Sequence, residues 1–316
     1  MEKNDIYKMI ESLNIDYREV KDSKEYKLGR GILSLLRQIR HFRFIAFAKE
    51  ARSLYGNYYV LQGKKFRTQA KIDPPVVIHE LVQAKVVVYA CIAGPYELPK
   101  EPFFPEENVD YILYTDQPKK NRDSVWEYRD IPDHVLKISK SGKVRNEYIR
   151  THPHEFFPEY DYAIYVDGSL RIMSDASSWV SLVSPRVGIA MHKRGNITCV
   201  YKEGQGNLYM KRGNPKNIRV QMKYYRNEGM PENFGVLESP VIVTDLSHPT
   251  AIQIYNLWWE DFLRWNSQRD QMSLPFVLWK MGISVDDVGT LGGSVWGNPK
   301  LQFYRHDMKK YHVDNQ

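Results

Sequence analysis

The stretch Tyr160-Asp-Tyr-Ala-Ile-Tyr-Val-Asp-Gly-Ser-Leu-Arg-Ile172 constrains the fold more than any other part of the chain. Ala163 to Val166 is a short apolar run closed by turn residues, the pattern of a strand covered on both faces. Gly168 permits a sharp exit. Asp167 stands at the carboxyl end of that strand, where open α/β sheets collect ligands. Asp-Gly is also a common turn dipeptide, so Asp167 taken alone suits a plain turn as well as a site.

The surrounding sequence repeats the pattern. Lys85 to Ile92 reads as a strand with an exit loop from Ala93, and Val109 to Asp116 as a second strand that ends in an acid. Val125 to Tyr128 is a third candidate, and Val187 to Met191 and Pro240 to Asp245 are two more. Helical segments are expected at 144–151, 179–183, 218–227, 251–265 and 271–281, and a loop-rich tail at 292–306. Strands alternating with helices predict an α/β domain built on a mostly parallel sheet. At 316 residues, 42% hydrophobic and 26% charged, the chain can bury such a core in water.

A proline-marked linker at 72–78 separates this region from a helical, basic amino-terminal part. The predicted units are 1–80 and 81–316. Residues 27–71 hold eleven basic residues and one acid, Glu50, a local balance of +10 that leaves −3 for the rest of a chain of net +7. Residues 30–55 read as an amphipathic helix, with Ile32, Leu35, Leu36, Ile39, Phe42 and Ala46 on one face. Such a helix can lie on an anionic membrane, pack on its own domain, or self-associate with a second copy. No nucleic-acid motif accompanies the charge, so nucleic acid is not the expected partner. Cys91 and Cys199 have no metal-site spacing, and the start of the chain has no apolar signal core. The expectation is a cytoplasmic protein, peripheral on the inner face of a membrane if the basic helix binds lipid.

Three sets of residues can carry chemistry. Strand-end acids Asp116 and Asp167, with Ser169, lie in sequence near the cations Lys143 and Arg145; acids can hold a divalent metal and cations can take phosphate oxygens. Diphosphate chemistry needs both, because the leaving group carries charge that must be neutralised. No glycine-rich dinucleotide fingerprint and no P-loop is present. The second set is Arg269-Asp270-Gln271 at a helix start, more polar than capping alone requires. The third is His192 with Arg194 and Glu203. For each, a surface ion pair, a cap or a solvated helix face is the plainer alternative.

These pieces, in this order, resemble the TOD/MUCI glycosyltransferase-like family: the Tyr160–Ile172 stretch, His192-x-Arg194 with Glu203, Tyr225-Arg-Asn-Glu-Gly229, and Ser267-Gln-Arg-Asp-Gln-Met-Ser-Leu274. The resemblance covers roughly residues 85–306. It implies a GT-A, Rossmann-like fold and transfer of a sugar from a nucleotide-sugar donor to a glycan or lipid-linked acceptor, in cell-surface polysaccharide synthesis. It implies Ala93, Asp116, Lys143, Arg145, Asp167, Gly168 and Ser169 on the donor side, and His192, Arg194, Glu203 and Arg269 on the acceptor side. Asp270 and Gln271 are the catalytic pair it implies. A Mn²⁺ or Mg²⁺ ion is implied on Asp167, with His306 as a further ligand. The chain departs from the usual Asp-x-Asp at Ser169, which stands where a second acid is normal. Trp258, Trp259 and Trp296 are candidates to stack on sugar faces. Two other readings stay open: a non-catalytic glycan-binding protein on the same scaffold, and a sugar nucleotidyltransferase.

Overall fold

The computed structural model describes residues 2–40, 74–80, 83–94, 99–117, 123–195 and 197–304. Helices α1 (Lys3–Asp22) and α2 (Lys24–Arg40) come first. The body then runs β1 (Val86–Ile92), β2 (Val109–Thr115), β3 (Glu127–Asp130), α3 (Asp133–Ile138), α4 (Gly142–Thr151), α5 (Pro153–Phe156), β4 (Tyr162–Val166) and β5 (Leu170–Ile172). It continues with β6 (Ile189–Lys193), α6 (Val200–Tyr209), α7 (Pro215–Asn227), β7 (Leu237–Asp245), α8 (Pro249–Trp265), α9 (Asp270–Lys280), β8 (Gly289–Thr290) and β9 (Leu301–Phe303).

The main sheet has seven strands in the order β3-β2-β1-β4-β7-β6-β8. β7 alone runs against its neighbours β4 and β6; every other pairing is parallel. This is the mostly parallel α/β sheet flanked by helices, with helices ahead of it, that the sequence predicts. The central strands are buried on both faces, which is why their sequences read as near-continuous apolar runs. Side-chain alternation divides them between two cores. Tyr89, Cys91, Ile112, Ala163 and Tyr165 face Ile149, Ile254, Trp258 and Leu274, while Val88, Ala90, Ile164, Val166 and Val243 face Trp179 and Leu301.

Several details differ from the sequence expectation. The tail is not all loop: β9 pairs antiparallel with β5, joining Leu170 to Phe303 and Ile172 to Leu301. Glu203 lies inside a helix, α6, and β3 begins two residues later than predicted. The 179–183 segment is a 3₁₀ helix, Ser177–Leu182.

The α1 helix lies on the body. Asn14 donates to the carbonyls of Pro299 and Leu301, and Arg18 to those of Trp296 and Asn298. α2 follows α1 and keeps its apolar positions in solvent, with Leu28, Ile32, Leu36 and Ile39 exposed. Residues 41–55 of the predicted basic helix lie outside the described residues. Among the described residues no helix is long and apolar enough to cross a membrane.

Candidate functional site

The carboxyl ends of β1, β2 and β4 and the amino end of β7 meet at one edge of the sheet, because β7 is reversed. The Asp167 amide donates to the Pro240 carbonyl across that junction, at 2.8 Å. The amino end of α4 closes against the same edge. A side chain at Gly142 would collide with the Ala93 carbonyl, so the helix approaches this closely only with glycine there. Asn146 then donates to the Cys91 carbonyl and accepts from the Tyr165 hydroxyl, which locks α4 onto β1 and β4.

At the rim, Asp116 accepts the Gly94 amide at 2.8 Å and faces the Arg145 guanidinium at 3.7 Å. Arg145 also donates to the Ser139 carbonyl. The predicted donor-side residues Ala93, Asp116 and Arg145 therefore stand together.

Deeper in, α4 carries Lys143, Glu147 and Arg150 at i, i+4 and i+7, one face of the helix. This face meets the start of α9. Arg150 donates to Asp270 Oδ2 at 2.7 Å and to Glu147, and Ser239 on β7 donates to the same Asp270 oxygen at 2.7 Å. Lys143 Nζ is 3.6 Å from Asp270 Oδ1. The Trp258 indole donates to the Asp270 carbonyl, fixing the first turn of α9. The guanidinium of Arg150 also lies over the Tyr165 and Trp258 rings. Spacing along α4 was the only sequence signal for Glu147 and Arg150, and sequence reasoning assigned a site role to neither, nor to Ser239.

The charges tune one another. Burial by itself would raise the Asp270 carboxyl, but Arg150, then Lys143 and Arg269, and the Ser239 hydroxyl outweigh it and hold Asp270 well below the usual carboxylate range. Burial lowers the Lys143 ammonium, with Asp270 opposing. Burial lifts the Glu147 carboxyl to about 7, and Arg150 only partly offsets it.

A carboxyl raised on folding carries no penalty below its unfolded value and a full penalty above its folded value. Stability therefore falls as pH rises through the window between the unfolded value and about 7. Asp270 works in the opposite sense, and its contribution is lost only at strongly acid pH. Glu147→Gln is expected to remove the decline that Glu147 imposes between the unfolded value of about 4.5 and about pH 7. That decline is worth up to about 3 kcal/mol. Urea unfolding of both proteins across that window measures it; parallel pH curves would show that Glu147 imposes none.

The Asp167-Gly168-Ser169 turn sits at the end of β4, with Asp167 half-exposed and Ser169 buried. The Tyr304 amide donates to the Ser169 carbonyl at 2.8 Å, so β9 leads the chain out beside this turn. His306 lies outside the described residues. Among the described residues, no group of three metal-binding side chains includes Asp167.

The third predicted set is divided. Arg194 pairs with Glu203 at 2.8 Å, and Asn207 donates to Glu203 from the next turn of α6. His192 is fully buried, its Nε2 facing Asn298 Nδ2 at 3.0 Å, and burial drops it to about 3, so it is a neutral ring in the core. It offers no surface to an acceptor in this conformation. A bulge between Met191 and His192 shifts the register of β6 against β7 there. Arg269 is half-buried beside Asp270, with its Nε unpartnered, and Gln271 is half-buried next to it. Trp258 and Trp259 are buried and serve the packing of α8, while Trp296 is exposed, edge-on to Phe303.

A family model described as TOD1/MUCI70, glycosyltransferase-like domain, matches residues 48–288. Among curated proteins no sequence matches the chain. Solved structures similar to it include the bifunctional glycosyltransferase WbbM (TM-score 0.38, 11% identity, 63% of this chain), of which the chain spans 39%. Mouse xyloside xylosyltransferase 1 aligns with TM-score 0.37 and 12% identity over 62% of this chain and 82% of its own. The galactosyltransferase LgtC, in complex with donor and acceptor sugar analogues, aligns with TM-score 0.37 and 11% identity over 61% of this chain and 70% of its own.

Proposed function

The chain belongs to the TOD1/MUCI70 glycosyltransferase-like domain family, and from that premise we propose that it transfers a sugar from a nucleotide-sugar donor to a glycan or lipid-linked acceptor. The observation that carries this reading is the pairing of two cations of one helix, Lys143 and Arg145, with acids Asp270 and Asp116 at the sheet edge where β4 delivers Asp167. Lys143 and Arg145 take the donor diphosphate as their present carboxylate partners yield to it.

Asp167 is the ligand through which a divalent metal enters this site, and His306 is its proposed companion. The fit rests on Asp167 itself, a half-exposed carboxylate at the end of β4 that offers the hard oxygen donor such an ion takes. When bound, the ion neutralises the departing diphosphate. The rest belongs to the protein. Asp270 stays ionised at neutral pH, so it is a poor proton acceptor and acts on developing positive charge at the sugar by electrostatics. Gln271 beside it orients the donor sugar, and Arg269 and Arg194 lie toward the acceptor.

Thermal-shift screening against UDP-, GDP-, CMP- and dTDP-sugars, with and without Mn²⁺, tests the reading. One donor is expected to raise the melting temperature by mass action, and Asp167→Ala to abolish donor hydrolysis. Stability unchanged by every donor would reject it. Donor binding without hydrolysis or transfer would favour a glycan-binding protein, and pyrophosphate release a nucleotidyltransferase.

We further infer that α2 rests on an anionic membrane, the inner face for a cytoplasmic enzyme of polysaccharide synthesis. Its exposed Leu28, Ile32, Leu36 and Ile39 run at helical spacing, and Lys27, Arg30, Arg37 and Arg40 supply positive charge around them. Sedimentation with phosphatidylserine vesicles is expected to show binding that weakens with salt. Failure to bind overturns it, and a salt-resistant dimer in its place assigns the face to self-association.

A further inference from the structure

Three segments meet along the buried face of α1. Glu11 of α1, His79 of the segment before β1, and Asp175 after β5 are all nine-tenths buried or more, with side-chain exposures of 6%, 8% and 5%. One ligand atom from each lies within 4.8 Å of the others. Asp175 Oδ1 is 2.7 Å from His79 Nδ1 and 2.9 Å from Lys300 Nζ. A carboxylate only accepts, so Nδ1 carries a proton, and Nε2 points the other way. There it meets Glu11 Oε2 at 3.3 Å and has no hydrogen-bond partner.

A buried imidazole lone pair facing a carboxylate oxygen is repulsive unless something positive stands between them. Lys300 does not fill that role. Its ammonium is spent on Asp175 Oδ1 and on the carbonyls of Ile78 and Asp175 and the Ser178 hydroxyl. Among the described residues no lysine or arginine pairs with Glu11, whose other oxygen accepts the Ser174 hydroxyl at 2.5 Å. The cleft alongside is lined by Glu2, Glu80, Glu106, Glu107 and Asp175 against a single lysine, Lys3. The local balance calls for added positive charge.

We propose that this seam is a divalent-cation site, with Zn²⁺ held by His79 Nε2 and the Glu11 carboxylate. The 3.3 Å between Nε2 and Oε2, with metal bonds of about 2.0–2.1 Å, closes to about a tetrahedral angle at the ion. Asp175 fixes the histidine tautomer from behind, the carboxylate–histidine–metal arrangement. Ser174 orients Glu11 in the same way. Water from the acidic cleft completes the coordination. One nitrogen and one carboxylate suit a borderline ion better than the harder Mg²⁺. The ion would rivet α1 to the transferase body at a place that touches none of the proposed donor or acceptor residues.

The test is Zn²⁺ titration of the full chain by calorimetry, with X-ray absorption at the zinc edge on the same sample. Expected are one tight Zn²⁺ per chain and a light-atom shell containing one imidazole. His79→Gln and Glu11→Gln should each weaken binding at least tenfold, while Asp167→Asn, at the other proposed metal position, leaves it unchanged. Absorption on the unaltered chain reads the ligands even if a variant folds poorly. Three outcomes overturn the proposal: no binding, a shell without imidazole, or loss of the ion with Asp167→Asn alone. A chain that binds no Zn²⁺ but gains stability on acidification, and loses that gain with His79→Gln, would assign the position to a proton.

Discussion

Arg150→Met is expected to lower folding stability by about 3–5 kcal/mol, the scale for stripping one partner from a buried ion pair. The side chain is enclosed by Glu147, Asp270, Tyr165 and Trp258. Methionine approximates its stem but leaves Glu147 without its ion-pair partner and Asp270 with only the more distant Lys143 and Arg269. The loss follows from the orphaned charge more than from missing contacts. A double variant, Arg150→Met with Glu147→Gln, is therefore expected to recover part of it. Denaturant unfolding at neutral pH measures both. A loss below about 1 kcal/mol, the scale of an exposed pair, would mean that water reaches the network. Arg150 also rests on the Tyr165 ring of β4, so its removal should loosen the strand that ends in Asp167.

Asp270→Asn carries the largest expected effect on turnover. The substitution keeps shape and removes charge, leaving Ser239 and Arg150 in place around it. If the carboxylate acts on charge developing at the sugar, kcat should fall about 100- to 1,000-fold, roughly 3–4 kcal/mol of transition-state stabilisation. The KM for the donor should change far less. A raised KM with kcat intact would make Asp270 a binding residue. The pH profile separates electrostatics from base catalysis. A base would impose an acid limb near its own pKa, whereas Asp270, held far below the usual range, should leave the rate flat through mildly acid pH.

The central strands were legible because burial on both faces writes itself as an apolar run, and the strand-end acids were legible because turn residues follow them. The short pieces were not. β5 and β9 have three residues each, too few for a period-two pattern, and each exists only through the other. Helix α6 escaped because Gly204 and Gly206 weaken its propensity. Gly204 packs against the flexible Met222 side chain of α7. His192 is buried rather than turned to an acceptor, and the motif that suggested it carries no sign of the irregularity there: Met191 pairs with Ile242 but His192 with Glu238. The ion network of α4 joins residues more than a hundred positions apart. Spacing could align Lys143, Glu147 and Arg150 on one face, but only the fold supplies Ser239 and Asp270 opposite them.

The pairing of β5 with β9 has a mechanical consequence. α1 hangs by Asn14 from the Leu301 carbonyl in β9, β9 is zipped to β5, and β5 begins one residue after Ser169. The amino-terminal helix, the last described strand and the Asp-Gly-Ser turn are thus joined by hydrogen bonds into a short strut. A surface gripped by the amino-terminal helices would fix the height of the turn above it, as a jig sets the depth of a tool. Reach toward an acceptor is then set by the length of this strut, and a glycine inserted between Ser169 and Leu170 should change the reach while leaving the sheet intact.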